Sequence, residues 1–353
     1  MENQFFKNKR VLLTGNTGFK GAWLSKILLD AGADVKGYSL EPPTEENLYS
    51  ILGLAQDMET ILADVRDYST MQTVMKQYQP EIVIHLAAQP LVRESYVRVR
   101  ETYETNVIGT VNLLESVRQC ESVRSLLNVT TDKVYENKEW NWGYREVDNL
   151  DGFDPYSNSK SCSELVTHSF RKSFFQEREI GISTARAGNV IGGGDFAKDR
   201  IIPDCVAAAR KKEKIEVRNP YSIRPYQHVL EALFAYLLII ERQYNDISLQ
   251  GEYNVGPEDK SCVSTGQLVT TFCKYWGDEM EWEQQSEINP VHEANFLKLD
   301  CSKIKSVLNW DNTWDIEESV KRTVDWSKTW IENPKSIRRM TEQQIQDFCQ
   351  KRK

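Results

Sequence analysis

The chain has 353 residues, 40% of them hydrophobic and 27% charged, and it carries a formal net charge of −8. This length and composition are typical of a globular protein with one large domain or two moderate ones. The acidic balance argues against nucleic acid or an anionic membrane as the main partner, so we expect a small ligand.

The cysteines and the N-terminus favour a cytoplasmic protein. Seven cysteines are scattered along the chain without a C-x-x-C pair, which predicts neither a disulfide framework nor a metal site. Residues 1–10 lack the apolar core of a signal peptide, and no apolar run is long enough to cross a bilayer. We therefore expect a reducing, cytoplasmic location and no membrane partner.

The first predicted elements form a strand, a glycine-rich turn and a helix. The apolar run RVLLT at 10–14 is followed by GNTGFKG at 15–21 and by a helix over 22–31. In this arrangement, backbone N–H groups and a helix N-terminus receive a diphosphate. The spacing G-x-x-G-x-x-G is a variant of the dinucleotide fingerprint, so we predict a dinucleotide cofactor.

The next two predicted strands do not settle which dinucleotide is bound. The second, at 34–38, ends in Ser39 and Leu40 rather than in the acid that would hold a ribose. No arginine follows immediately to favour a 2′-phosphate. Asp64 and Val65 follow the third strand, where a carboxylate could accept from adenine, although a solvated loop acid fits equally well.

A fourth strand is predicted over 82–86, because its continuous apolar run is of the buried parallel type. It ends in Ala87 and Ala88, which are small enough to let a cofactor approach the backbone. His85 lies inside the run, and we interpret it as a core histidine rather than a catalyst. The loop that follows carries Arg93 at the carboxyl end of the strand, where open α/β sheets bind ligands.

A long helix is predicted over 97–118 from its apolar stripe, and a fifth strand over 126–130. Three polar residues follow that strand at the position where catalytic groups gather in α/β sheets: Thr131, Asp132 and Lys133. Taken alone, an Asp-Lys pair is more typical of a solvated loop.

A turn-rich, aromatic loop over 136–154 is expected to lie over a site, and a helix follows from Pro155 to about Phe175. Tyr156 and Lys160 stand four residues apart on one face of that helix. An ammonium beside a phenol favours the phenolate, so we expect Tyr156 to accept a proton near neutral pH. Most isolated pairs with this spacing are ordinary polar helix starts.

The alternation of strands and helices predicts an α/β fold, a Rossmann-type doubly wound parallel sheet with a smaller C-terminal mixed α/β substrate domain. We expect the sheet domain to cover 1–186, with about 226–256 returning to it. The substrate domain is expected over about 187–225 and 257–353. Within these segments we predict a helix from Ile201, a strand at 215–217, an apolar helix over 226–244, a strand at 253–255 and a polar end over 335–353 that frays or caps the surface.

With these stretches placed, the chain resembles the extended short-chain dehydrogenase/reductase superfamily and, within it, the nucleotide-sugar 4,6-dehydratases. The resemblance covers about residues 8–330 and rests on long consecutive motifs: TGNTGFKGAWL at 14–24, HLAAQPLVRESY at 85–96, ETYETNVIGTVNLLE at 101–115, TTDKVYEN at 130–137, DPYSNSKSCSE at 154–164, RAGNVIGGGDFAKDRIIPD at 186–204 and RNPYSIRPYQHVLE at 218–231. The subgroup that acts on CDP-glucose is the most similar.

The resemblance implies a role for each matching residue. The implied catalytic residues are Thr131, Asp132, Lys133, Tyr156 and Lys160. The implied contacts to NAD are Gly15, Asn16, Thr17, Gly18, Phe19, Gly21, Asp64, Val65, Ala87, Ala88, Gln89, Tyr156 and Lys160. The implied substrate contacts are Arg93, Asn189, Arg200, Arg224 and His228, with Asn106 as a structural polar residue beside the site. Asn16 stands where the subgroup often has histidine, which we expect to alter cofactor affinity.

The implied reaction is dehydration of a nucleoside-diphosphate hexose, CDP-D-glucose in the most similar subgroup, in deoxysugar biosynthesis such as that of lipopolysaccharide O-antigen. Tyr156 would take the proton of the C4 hydroxyl, a neutral Lys133 in a dry site the C5 proton, and a protonated Asp132 would assist loss of the C6 hydroxyl. Two rivals are a 4-epimerase, which has no use for Asp132 and Lys133, and a non-catalytic dinucleotide-binding scaffold, which would lack Tyr156 or Lys160. The superfamily also implies a homodimer through the helices at 97–118 and 156–175.

Overall fold

The computed structural model describes residues 4–277, 279–285 and 296–352. Its strands are β1 Arg10–Thr14, β2 Asp34–Ser39, β3 Glu59–Leu62, β4 Ile82–His85, β5 Ser125–Val129, β6 Gly181–Ala187, β7 Val190–Ile191, β8 Ile215–Val217, β9 Ile223–Arg224, β10 Gln227–His228, β11 Glu252–Val255, β12 Val263–Ser264 and β13 Trp282–Gln284. Its α-helices are α1 Phe19–Asp30, α2 Leu48–Ile51, α3 Tyr68–Tyr78, α4 Val92–Val97, α5 Val99–Tyr103, α6 Gly109–Arg118, α7 Pro155–Phe174, α8 Ile201–Lys211, α9 Val229–Asn245, α10 Thr265–Trp276, α11 Ser302–Leu308, α12 Ile316–Glu332 and α13 Ile337–Lys351.

A seven-stranded parallel sheet organises the chain, in the spatial order β11-β6-β5-β4-β1-β2-β3. The strand order reverses between β1 and β4, so a crevice opens at the carboxyl ends of these strands, where such sheets bind ligands. The central strands are buried because helices cover both faces, as their apolar runs predict. The predicted doubly wound sheet is confirmed.

Alternate side chains of the strands belong to two different cores. Leu12 and Val83 pack with α3, α6 and α7 on one face, whereas Val11 and Ile84 pack with α1 and α9 on the other. A third core, built from α8, β8, α10 and α12, lies beside the carboxyl end of the sheet. In the ranges described, no helix combines the length and apolar character needed to span a bilayer.

The helix predicted over 97–118 is interrupted. The structure has α4, α5, a π-helical turn over Glu104–Ile108 and then α6. The wider turn places the buried Asn106 amide against the Gln89 backbone (2.9 and 3.1 Å) and the Ser159 hydroxyl (2.9 Å). A polar bridge inside the helix ladder is a typical cause of such a turn.

The end of the chain covers the protein, one of the two outcomes predicted for it. Residues 337–351 form α13 instead of fraying, and Phe348 is fully buried. Its ring packs 4.9 Å from Phe234 of α9 and 5.0 Å from Trp314. The segment from Leu297 onward contributes mainly to a core of the sheet. Part of the segment 257–353, which was expected to belong to the substrate domain, therefore packs on the sheet.

We expect Phe348→Ala to lower the free energy of unfolding by about 3–5 kcal/mol, because it removes a fully buried aromatic ring. Urea denaturation followed by fluorescence measures the change. Gln350→Ala, at an exposed position of the same helix, should change stability by less than about 0.5 kcal/mol. A Phe348→Ala variant as stable as the Gln350→Ala control would show that α13 does not dock.

Candidate active site

A cavity of about 1260 Å³ opens at the carboxyl ends of β5 and β6 and continues toward α8 and β8 of the third core. The following residues singled out from the sequence line it: Arg93, Thr131, Asp132, Lys133, Tyr156, Asn189, Arg200 and Arg224. They come from separate parts of the chain and meet because parallel strands end at one edge of the sheet. Of the aromatic loop over 136–154, Asn137, Glu139, Phe153 and Asp154 reach the cavity.

Tyr156 lies in the first turn of α7, which begins where predicted. The Asp154 side chain caps the helix by accepting from the Ser157 N–H at 2.9 Å, and Pro155 occupies the first turn. Burial raises the pKa of Tyr156 to about 12, and the hydrogen bond with the Thr131 hydroxyl opposes this rise. The phenolate expected near neutral pH is therefore not produced by the protein groups alone.

Lys160 is buried behind Tyr156. Its ammonium donates to the Val129 carbonyl at 3.1 Å, at the end of β5, rather than to the phenol. Burial lowers the pKa of Lys160 to about 8, while nearby Glu164 opposes this. The spacing of four residues therefore places Lys160 and Tyr156 on one helix without joining them by a hydrogen bond, and the action of Lys160 on the phenol stays a prediction.

Asp132 and Lys133 form an ion pair in the turn that follows β5. Asp132 is fully buried, and its Oδ1 accepts from the Thr131 hydroxyl at 3.0 Å and from Lys133 Nζ at 3.3 Å. Lys133 Nζ also donates to Asn189 Oδ1 at 3.3 Å, and its side chain is 28% exposed. Lys133 is thus paired and partly solvated, not enclosed in a dry site as expected.

A buried ion pair fixes α7 against the strands that carry these groups. Glu164 Oε2 accepts from Arg186 Nη2 at 2.9 Å and from the Thr184 hydroxyl at 2.7 Å, and Glu164 Oε1 accepts from the Thr130 hydroxyl. Arg186 also donates to the Tyr135 hydroxyl at 2.9 Å. Since Thr130 precedes Thr131 directly, the pair positions the end of β5 relative to Tyr156.

Three arginines bring positive charge to the cavity, and Asn189 brings an amide group. Arg200 donates to Asp195 at 2.9 Å, and this carboxylate raises the pKa of Arg200. Arg224 is largely buried on β9, and Arg93 lies in the first turn of α4. Guanidinium groups at these places suit the diphosphate of a ligand.

His228 is a correction to the predicted substrate contacts. It is fully buried, accepts from the Leu230 N–H at the start of α9, and packs edge-on against Trp23 and Trp314. Burial lowers its pKa to about 3. Because Gln227 and His228 form β10, α9 begins at Val229 and not at Tyr226.

The glycine loop fits a diphosphate. Gly15 has φ +74°, and a Cβ there would lie 2.7 Å from the Ala87 nitrogen. A Cβ on Gly21 would lie 2.1 Å from the Gly15 oxygen, so helix and loop pack too closely for a side chain. Gly18 is the N-cap residue of α1 and makes no side-chain cap, and the first turn of the helix carries no acid. The open N–H groups of that turn are therefore suited to an anion.

Two side chains of this loop turn into the protein. Asn16 is fully buried, donates to the Thr60 hydroxyl at 2.8 Å and fills the space above Gly37. The Thr17 hydroxyl contacts Ser39 at 2.7 Å and the Leu40 carbonyl at 2.9 Å. The predicted cofactor contacts of Asn16 and Thr17 would therefore be made mainly through their backbone, and they stay a prediction.

The remaining predicted cofactor contacts surround the same edge of the sheet. Asp64 is paired with Arg66 at 2.6 Å, which lowers the pKa of its carboxyl group. Val65 is buried against Gly109. The side chain of Gln89 is hydrogen-bonded to the Leu91 backbone in its own loop and donates to the Thr102 hydroxyl of α5 at 2.9 Å. The other three predicted contacts are partly exposed and lie beside the crevice: Phe19, Ala87 and Ala88.

His85 is confirmed as a core residue. Its two ring nitrogens contact the hydroxyls of Thr14 at 2.7 Å and Thr110 at 3.3 Å. Burial lowers the pKa of His85 to about 3, so the ring is neutral at any physiological pH.

Lys20 is a cavity residue that the sequence analysis missed. It projects from the first turn of α1 into the cavity, 6.0 Å from the ring centre of Tyr236. Burial, together with Arg200 and Lys160, lowers the pKa of Lys20 to about 7. A lysine in the first turn of a helix is placed unfavourably with respect to the helix dipole. That unfavourable placement is the sequence feature that could have marked Lys20 as a functional residue.

Comparison with known proteins places the chain among nucleotide-sugar enzymes. A family model described as GDP-mannose 4,6 dehydratase matches residues 12–323. A CDP-glucose 4,6-dehydratase of Salmonella typhimurium is 47% identical over 337 residues, covering 94% of each chain. Among solved structures, a dTDP-glucose 4,6-dehydratase of Bacillus anthracis in complex with NAD matches with TM-score 0.77 at 20% identity, covering 91% of this chain and 97% of that one. A UDP-glucose 4-epimerase of Thermotoga maritima matches with TM-score 0.79 at 20% identity, covering 92% and 100%.

Proposed function

The chain belongs to the GDP-mannose 4,6-dehydratase family, and we propose that it removes water from a nucleoside-diphosphate hexose to give the 4-keto-6-deoxy sugar nucleotide. The observation that carries the proposal is the meeting of Tyr156, Asp132 and Lys133 in one cavity, which supplies an acid–base pair beside a tyrosine. CDP-D-glucose is the proposed substrate because the relative with 47% identity is a CDP-glucose 4,6-dehydratase. An enzyme that removes water in this way is a hydro-lyase.

NAD is the proposed cofactor, held by the backbone of Gly15, Gly18 and the first turn of α1 and by the crevice between β1 and β4. When bound, NAD would supply a cationic hydride acceptor that takes hydride from C4, returns it to C6 and, by its charge, lowers the pKa of the nearby phenol. We assign cofactor binding to the sheet and nucleotide binding to the third core, to which α8 and β8 contribute.

Tyr156 accepts the proton of the C4 hydroxyl in this proposal. The Thr131 hydroxyl is hydrogen-bonded to it and favours the phenolate when its single proton turns from Asp132 to the phenol oxygen. Lys160 holds a positive charge within the same buried region and is fixed by the Val129 carbonyl. Once C4 is a ketone, the C5 proton lies next to a carbonyl and becomes acidic enough for an amine to remove.

The observed ion pair is one proton shift away from the pair that elimination needs. Transfer of a proton from the Lys133 ammonium to the Asp132 carboxylate, across 3.3 Å, gives a neutral amine and a carboxylic acid. The amine then removes the C5 proton, while the acid protonates the C6 oxygen as the C6–O bond breaks and water leaves. Lys133 finally returns its proton to C5 as C6 receives hydride.

The protons balance only if one of them moves between two residues. After one cycle Tyr156 has gained the proton of the C4 hydroxyl, and Asp132 has lost the proton that left with water. The Thr131 hydroxyl donates to Asp132 at 3.0 Å and is hydrogen-bonded to Tyr156. A single relay through Thr131 therefore restores the starting state without bulk solvent.

The rival functions are less well supported by the same cavity. A 4-epimerase oxidises C4 but eliminates nothing, so Asp132 and Lys133 would have no task in it. The epimerase structures that match do so at about 20% identity, which shows the fold alone. A scaffold without catalysis would have no use for Tyr156 and Lys160 in a buried, pre-arranged site.

Location and assembly complete the proposal. All seven cysteines are free thiols, which supports a reducing cytoplasm. We extend the proposal to a homodimer, because exposed apolar side chains cluster on α4, α5, the π-helical turn and α7: Val97, Val99, Ile108, Leu165 and Phe174. The product would enter deoxysugar synthesis, and an O-antigen sugar remains a proposed destination.

Incubation with CDP-, UDP-, dTDP- and GDP-hexoses should give loss of one water from CDP-glucose, detected by mass spectrometry. Tyr156→Phe should form no product while keeping its fold and its affinity for NAD, since only the ionisable oxygen is removed. Product formation by Tyr156→Phe at the rate of the unmodified enzyme would disprove the assigned proton acceptor.

Asp132→Asn and Lys133→Met should each slow water loss by about a hundred- to ten-thousand-fold, the usual contribution of acid–base groups. In deuterated solvent, exchange at C5 should persist in Asp132→Asn and be suppressed in Lys133→Met. Lys198→Met, which removes an exposed lysine from the same cavity, serves as the control. Unchanged C5 exchange in Lys133→Met would assign the base to another group.

Light scattering at micromolar protein should give the mass of a dimer. Leu165→Glu, at a side chain 56% exposed on α7, should convert it to monomers, because a charge cannot be buried unpaired in the interface. Val307→Glu on α11 makes the same change at a distant exposed position and should leave the dimer intact. A monomeric mass for the unmodified chain would exclude the dimer.

A further inference from the structure

The end of the cavity farthest from Tyr156 has polar groups for which the proposed chemistry has no use. This end is formed by α8, β8 and the residues that follow them, together with β13. Its described polar lining is Asp204, Glu216, Arg218, Asn219, Gln284 and Gln285. A sugar nucleotide has its hexose at one end, its diphosphate in the middle and its base at the other. With the hexose at Tyr156 and the diphosphate near Arg224, the base falls at this end.

Arg218 and Asp204 stand side by side in this region. One nitrogen of Arg218 is held by Asp199 at 2.7 Å, and the other lies 3.8 Å from Asp204 Oδ2. That longer distance is an ion pair without a hydrogen bond. The Asp204 side chain makes no hydrogen bond to any residue in the ranges described, although it is partly buried on the first turns of α8. Burial raises the pKa of Asp204, and Arg218 opposes this.

Resting on the proposed function, we propose that Asp204 and Arg218 read the base of the nucleotide and select cytosine over uracil and thymine. Cytosine presents an amino donor at C4 and acceptors at N3 and O2, which match a carboxylate beside a guanidinium. Uracil and thymine present a carbonyl at C4 and an N–H at N3. Against the same pair, the carbonyl would face the carboxylate and the N–H would face the guanidinium, so both contacts would be lost.

Glu216 is the competing carboxylate at this end. It lies on β8 with an exposed side chain, and its Oε2 accepts from Gln285 Nε2 at 2.7 Å. An exposed and already partnered carboxylate discriminates poorly, because water replaces a lost contact at little cost. The partly buried carboxylate of Asp204, with its hydrogen bonds still to be made, is the stronger discriminator.

Calorimetric titration of the full chain with CDP and UDP tests the proposal without catalysis. The unmodified protein should bind CDP more tightly than UDP, by roughly tenfold or more, the discrimination expected of one well-placed polar pair. Asp204→Asn turns one acceptor oxygen into a donor, so CDP should bind at least about tenfold more weakly while UDP binds equally well or better. Arg218→Gln, as a second variant, should also weaken CDP more than UDP.

Two matched variants separate the possible explanations. Glu213→Gln makes the same change of charge outside the cavity and should leave the ratio of CDP to UDP affinity unchanged. If Glu216→Gln shifts the ratio and Asp204→Asn does not, the assignment to Asp204 is overturned. Equal affinities of the unmodified chain for CDP and UDP would overturn the inference alone, whereas binding of neither nucleotide would overturn the proposed function as well.

Discussion

The buried pair of Glu164 and Arg186 is the constraint on which the rest of the site depends. It joins α7, the end of β5 and β6, and through the Tyr135 hydroxyl, which donates to Asn254 at 2.6 Å, it also reaches β11. Every carboxylate oxygen of Glu164 has a partner, which is the condition under which a buried charge is tolerated. A helix held this way keeps Tyr156 at a fixed distance from the groups after β5 without using any residue that the chemistry needs.

Those parts of the site that depend on local chain geometry could be predicted from the sequence. The turn from Gly15 to Gly21 follows a strand and opens a helix, and this order alone fixes which backbone N–H groups face the crevice. Thr131 and its two neighbours follow a central strand, so the topology of a parallel sheet brings them to the edge where Tyr156 also lies. The hydrophobic periodicity and the order of the strands therefore determine where these site residues lie in the fold.

Burial and electrostatics could not be predicted, because they depend on contacts between distant segments. The pKa of the Tyr156 phenol is raised because the fold buries it, and Lys160 donates to a carbonyl rather than to the phenol. His228 resembled a ligand residue within its motif, yet two tryptophans from elsewhere in the chain cover it. The burial of Phe348 was not predicted, because the sequence of α13 is mostly polar and the aromatic partners of Phe348 are more than thirty residues away. Spacing carries no information about such partners.

The proposed catalysis and the proposed base recognition use different parts of the fold, and this division has a physical reason. Acid–base groups must hold their positions to within a fraction of an ångström, so they stand at the ends of sheet strands and at the start of a helix fixed by a buried ion pair. Asp204 and Arg218 lie instead on α8 and just after β8, in a separate core. Under the proposed base recognition, changes there would alter the recognised base without moving Tyr156 or Asp132. On this proposal, base selection and dehydration should vary independently, because the two sets of residues lie on elements that belong to different cores.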